Sequence, residues 1–168
     1  LTADWQARCE ADFRRRLGLD VHGRGGVSLY EHWADGLKTL HGFSTRDFPN
    51  WFYVGISQNA LSVNMTAMFD EQARHISYII AEVQKRGGTT VEPTEEGQAA
   101  WVDLINSMQI MSNGFFESCT PGYYNNEGNL EDRRAGGIYT PGINPFNALL
   151  EQWRAEGSMN GLELDREV

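Results

Sequence analysis

The sequence predicts a mostly helical α/β fragment with one buried, parallel-type strand, part of a larger α/β protein. Three observations lead there. Segments 67–86, 95–112 and 144–156 carry apolar residues at helical spacing. One run, "WFYVGI" at 51–56, holds six uncharged aromatic, β-branched and small residues without alternation. Such runs belong to strands covered on both faces, which need neighbours and crossover connections. No second strand of that quality occurs, and a lone buried strand cannot satisfy its own backbone groups.

The bulk numbers narrow the classes. A chain of 168 residues is one ordinary domain in length. Its net charge of -9 lacks the basic stripe of a nucleic-acid binder. No apolar run approaches the roughly 20 residues that span a bilayer. The first residues, Leu1-Thr2-Ala3-Asp4-Trp5, do not read as a signal peptide, and with no initiator Met the chain reads as cut from something longer. Cys9 and Cys119 are far apart and form no CxxC pair, and His22, His32, His41 and His75 lack zinc-like spacing. A reduced, cytoplasmic setting and no metal are expected.

Taken in order, residues 2–17 place Trp5, Cys9, Phe13 and Leu17 at helical spacing before Gly18. "HGRGGVS" is a glycine loop, "SLYEHWADG" a short helix stopped by Gly36, and "TRDFPN" a turn. The strand 51–56 follows. Residues 67–86 then form the strongest helix, with Phe69, Ala73, Ile76, Ile80 and Val83 as its apolar stripe. Asp70 and Glu71 fall in its first turn and Lys85 and Arg86 in its last, before Gly87-Gly88. A helix over 95–112 is capped by Thr94 and presents Trp101, Leu104, Ile105 and Met108. The last helix starts with Asn144 as cap and Pro145 at its first position, presents Phe146, Leu149, Leu150 and Trp153, and ends at Gly157. "LEL" at 162–164 reads as a short edge strand.

Each motif has a plainer reading beside it. Gly23-x-Gly25-x-x-Ser28 lacks the last glycine of a dinucleotide fingerprint and has no Gly-Lys-Ser/Thr, so a glycine turn is preferred. His75 reads as a partly exposed helix histidine. Cys119 has no neighbouring histidine and nothing to lower its pKa. The loop "NALSVNM", 59–65, is the best ligand candidate because it leads from the strand to a helix N-terminus. Gly55 would let a cofactor approach the backbone. Ser62, Asn64 and Met65 offer polar and soft apolar contacts; alternatively Ser62 and Asn64 serve only the helix start.

The stretch "TLHGFSTRDFPNWFYVGISQNALSVNMTAMFDEQARHISYII" (39–80) resembles the C-terminal portion of Baeyer–Villiger monooxygenases. "GRGGVSLYEHWADG" (23–36), "TVEPTEEGQAAWV" (90–102), "ESCTPGYYNNEGN" (117–129) and "LLEQWRAEGSMNGLEL" (149–164) extend the resemblance in family order. It covers about residues 20–165. Residues 1–18 stay unmatched; 19–168 resembles the end of a flavoprotein with two Rossmann-like dinucleotide-binding domains. In that reading 51–86 returns to the FAD domain, and 94–168 is a helical tail packed toward the NADP side.

The resemblance implies an enzyme that uses FAD, NADPH and O2 to insert one oxygen atom into a ketone, giving an ester or lactone. It implies that Gly55, Ser62, Asn64 and Met65 lie beside the flavin. It implies that Cys119, Tyr123, Tyr124 and Asn125 belong to a lid over nicotinamide and substrate. A tryptophan often occupies the position of Cys119 in the family, so nicotinamide contact by that residue is in doubt. The glycine-rich fingerprints and the family's other catalytic elements have no counterpart in this sequence, so no catalytic residue is assigned and the chain alone should be inactive. The competing hypothesis is a small, non-catalytic helical binding module. Exposed apolar surface separates the two: a fragment leaves the strand edges and one helix face uncovered, whereas a module buries them.

Overall fold

A computed structural model describes residues 19–34, 36–108 and 137–165. The predicted helix at 2–17 and the site residues Cys119, Tyr123, Tyr124 and Asn125 lie outside them. In order, the elements are α1 (Leu29–His32), α2 (Met65–Lys85), β1 (Thr90–Pro93), α3 (Glu95–Ser107), α4 (Ile143–Glu156) and β2 (Leu162–Asp165). A single 3-10 turn, Arg24–Gly26, precedes α1.

The helices begin where the caps dictate. Ser28 and Glu31 form a reciprocal capping box on α1. Asn64 Oδ1 accepts from Ala67 N at 3.1 Å and opens α2. Thr94 Oγ1 accepts from Gly97 N at 3.0 Å and opens α3. Because α2 starts at Met65, Asp70 and Glu71 fall beyond its first turn; there they pair with Arg74 at 3.7 and 3.5 Å. The start of α4 also differs from expectation. Gly142 is its N-cap, so Asn144 and Pro145 lie inside the first turn. Proline is tolerated there because those N–H groups lack intrahelical partners.

The only sheet among the described residues is β1–β2, an antiparallel pair with Val91 opposite Leu164 and Pro93 opposite Leu162. The edge strand expected at 162–164 is present, and "TVEP" is its partner. Segment 51–56 is not a strand here. It has no regular structure over 51–54, and no described strand pairs with it. Tyr53 N donates to Phe43 O at 2.9 Å, and Val54 and Ile56 remain 48% and 45% exposed. An uncharged run registers an apolar environment, not which residues provide it.

Two apolar clusters hold these pieces together. The first gathers Leu40, Phe43, Ala60, Trp101, Ile105, Tyr139, Phe146 and Leu150. The second gathers Ile79, Val83, Val91, Trp153 and Met159, with Leu162 and Leu164 packed against it. The faces predicted for α3 and α4 are the ones that face inward. The face predicted for α2 is not. Its buried residues are Met68, Gln72, His75, Ile79 and Val83. Of the predicted stripe, Val83 is buried, Ile76 is half-buried, and Phe69, Ala73 and Ile80 are exposed. His75, expected to be partly exposed, is fully buried. Two polar side chains with interior roles thus rotate the helix away from its most apolar stripe.

The glycine loop has a structural role. Arg24 donates Nε to Glu92 Oε1 at 2.8 Å and Nη2 to Asp165 Oδ2 at 3.1 Å, pinning the loop to β1 and β2. A second close approach joins α3 to the turn before β2. A Cβ on Gly97 would lie 2.5 Å from Gly161 Cα and 2.8 Å from Gly161 O. Alanine usually improves a helix over glycine by about 1 kcal/mol. Here Gly97→Ala is expected to destabilise by about 1–3 kcal/mol, because backbone must move. Denaturant midpoints check the sign.

Candidate functional site

Loop 57–65 has a rigid root and an exposed tip. Gln58 and Asn59 are buried at the root. Gln58 Oε1 accepts from Thr39 N at 3.1 Å, and Gln58 Nε2 donates to Leu37 O at 2.7 Å. Trp101 Nε1 donates to Gln58 O at 3.1 Å, and Asn59 Nδ2 donates to His41 O at 3.1 Å. The root is therefore tied to the 37–41 turn and to α3. Beyond Ala60 the chain leaves the core. Leu61, Val63 and Met65 are exposed, Val63 completely.

The predicted site residues divide by role. Ser62 Oγ accepts from Asn64 N at 3.2 Å, and Asn64 caps α2. Both contact the helix start, while Met65 stays open to the outside. Gly55 lies against α2 through Gln72, whose Oε1 accepts from Gly55 N at 3.0 Å and whose Nε2 donates to Gly55 O at 2.8 Å. Gln72 is seven residues from Met65, two turns or about 10 Å along the helix. Segment 51–56 and the tip of loop 57–65 thus share one helix as their support. Sequence reasoning missed Gln72; its signal was a glutamine spaced between Met68 and Ile79 on what proved to be the core face.

Apolar side chains on segment 51–56, on the loop tip and along α2 stay uncovered. Val54, Ile56, Leu61, Val63, Met65, Phe69 and Ile80 are all exposed. This is the pattern expected of a fragment rather than of a self-sufficient module. A separate open concavity of about 900 Å³ lies between α3, α4 and the turn before β2, with His41, Trp101, Trp153 and Asn160 in its lining. None of Gly55, Ser62, Asn64 or Met65 lines it.

His41 and His75 meet in the interior with ring centroids 5.6 Å apart. Phe43 and Trp153 flank His75 at 5.1 and 5.0 Å. Burial pushes His41 down to about 4. Burial first, then His41 and Arg154, push His75 down to about 2. Both are therefore neutral near pH 7 and unsuited to acid–base work there. No group of metal-ligating side chains occurs among the described residues. No described helix is long and apolar enough to cross a membrane.

No protein-family model matches the chain. Individual proteins do. Pentalenolactone D synthase of Streptomyces arenae is 40% identical over 158 residues, which cover 90% of this chain and 26% of that protein. Baeyer–Villiger monooxygenase 4 of Dietzia sp. (strain D5) is 36% identical, covering 86% of this chain and 24% of its own length. Among solved structures, the polycyclic ketone monooxygenase of Thermothelomyces thermophila superposes with a TM-score of 0.75 at 34% identity, over 90% of this chain and 25% of that one. Cyclohexanone monooxygenase from Rhodococcus sp. Phi1 superposes with a TM-score of 0.74 at 22% identity, over 94% of this chain and 28% of that one, and shares the fold. The chain spans about a quarter of the length of the relatives it matches. Over most of its length the chain is similar to Baeyer–Villiger monooxygenases, to a C-terminal portion of them.

Proposed function

We propose that this chain is the C-terminal part of an FAD- and NADPH-dependent monooxygenase that uses O2 to convert a ketone to an ester or lactone. The observation that carries the reading is the 36% identity, across 86% of the chain, to a protein named as a Baeyer–Villiger monooxygenase. A relative from Penicillium brasilianum, 38% identical, is named as an FAD-binding monooxygenase, and the Rhodococcus structure holds NADP+. A cytoplasmic location belongs to the same reading, supported by composition and cysteine usage.

The described residues fit one wall of a flavin site. Gly55 has no side chain, and both its main-chain polar atoms are satisfied by Gln72. Backbone of that kind can lie along a flat aromatic ring without leaving a buried group unpaired. Met65 and Val63 add exposed apolar contacts at the start of a 21-residue helix. Ser62 and Asn64 shape that turn. When bound, FAD supplies the redox chemistry. The chain's own residues bind, orient and exclude water. Cys119, Tyr123, Tyr124 and Asn125 are assigned to the nicotinamide and substrate side.

In the same reading, 51–86 rejoins an FAD domain, 94–168 is the helical tail, and 1–18 lies outside the matched region. Segment 51–56 becomes a parallel strand of a Rossmann-like sheet when the preceding domains supply its neighbours. The exposure of Val54 and Ile56 supports this and counts against the small binding module. The test compares the intact protein with the 168-residue chain. The intact protein should purify with a structured flavin absorption band and oxidise NADPH faster when a ketone is added. The chain alone should show no such band with added FAD. Tight FAD binding by the chain alone would refute the fragment reading. Ketone-independent NADPH oxidation by the intact protein would refute the assigned reaction.

A further inference from the structure

We infer that Gln72 is a positioning residue that sets the wall presented to the flavin by holding the Gly55 backbone against α2; this rests on the function proposed above. Gln72 is 1% exposed at the middle of α2. Its two amide atoms engage both polar atoms of one residue, Gly55 N at 3.0 Å and Gly55 O at 2.8 Å. That is the exchange of bonds that a residue opposite makes in an antiparallel ladder. Here a side chain makes it, because no described strand flanks the segment. A carboxamide supplies a donor and an acceptor on two adjacent atoms; an alkyl or ammonium group cannot supply both, and a hydroxyl supplies them only from one atom.

Two consequences follow for the exposed surface. Gly55 has no unsatisfied polar atom to turn outward, and the Tyr53 ring packs beside it, 3.2 Å from where a Cβ would stand. Val54 and Ile56 are fixed relative to Met65 and Phe69, since all four depend on α2. Gln72 stands two turns after Met65 on the same helix, on the core face, while Met65 and Phe69 lie exposed beside it. One side chain thereby couples the two exposed apolar pieces that would line the site. Without it, Gly55 could still fold into the interior, but its distance from the start of α2 would no longer be set.

The test uses the intact protein with Gln72→Leu and Gln72→Glu. FAD dissociation constants and the flavin's visible band are measured on folded protein, well below each melting midpoint, from pH 5.5 to 8.5. A protonated Glu can donate and accept as Gln does; a carboxylate cannot donate and opposes the Gly55 carbonyl. Burial favours the protonated form at low pH. Gln72→Leu should weaken FAD at least tenfold at every pH and shift the band. Gln72→Glu should bind nearly as wild type at pH 5.5 and at least tenfold more weakly at pH 8.5. Glu71, Arg74, His75 and Arg154 on α2 and α4 also carry titratable or charged groups. They are present in wild type, whose profile is subtracted. Should Gln72→Leu fail to fold, the pH profile of Gln72→Glu decides. Unchanged affinity and band in the folded variants would overturn the role. Wild-type protein that binds no FAD would overturn the functional reading itself, and this role with it.

Discussion

Acidification from pH 6.5 to 5 is expected to destabilise the chain by about 2 kcal/mol for each of two histidines, at about 1.4 kcal/mol per pH unit. His41 and His75 sit in the interior with their values lowered to about 4 and about 2. The unfolded chain, with histidine near 6.5, binds protons that the folded chain refuses. Stability is therefore complete above pH 6.5 and falls as the pH drops toward 4. Neither ring nitrogen of His75 meets a hydrogen-bond partner among the described residues. His75→Phe should remove about half of the pH slope and raise stability at pH 7 by about 1–2 kcal/mol, because an unsatisfied buried group disappears. Denaturant unfolding across the pH range checks both. An unchanged slope would place the acid sensitivity elsewhere.

Trp153→Ala is expected to cost about 3–5 kcal/mol. The ring belongs to the second cluster and also reaches the histidines, with centroids 5.0 Å from His75 and 5.7 Å from His41. Its Nε1 donates to Asn160 O at 2.9 Å and so fixes the turn that leads into β2. Truncation opens a cavity between α2 and α4 and frees the strand that pairs with β1. Trp153→Phe keeps most of the volume and loses the hydrogen bond, so it should cost distinctly less. Equal losses in the two variants would mean that the hydrogen bond, not packing, carries the effect.

The helices were legible where local chemistry is enough. Thr94 caps α3, Gly157 ends α4 in the left-handed region at φ 65°, and the Trp101–Ile105 and Phe146–Trp153 faces turn inward. Such signals act within one or two turns, so spacing along the chain reveals them. The family resemblance was legible for a different reason: several unremarkable segments occur together in order, and the chain is 36–40% identical over most of its length to relatives.

The buried face of α2 was not legible, because polarity is judged residue by residue and partners are remote in sequence. Gln72 goes inside to bond Gly55, and His75 goes inside to pack among His41, Phe43 and Trp153. Phe69 and Ile80 then face outward. The run at 51–56 likewise announced an apolar setting but not its source. Hydrophobicity and helical period belong to the chain and can be read from it. Which face is covered, and by what, depends on surfaces that meet only on folding. For Val54, Ile56 and the outer face of α2, the described residues do not supply the covering surface.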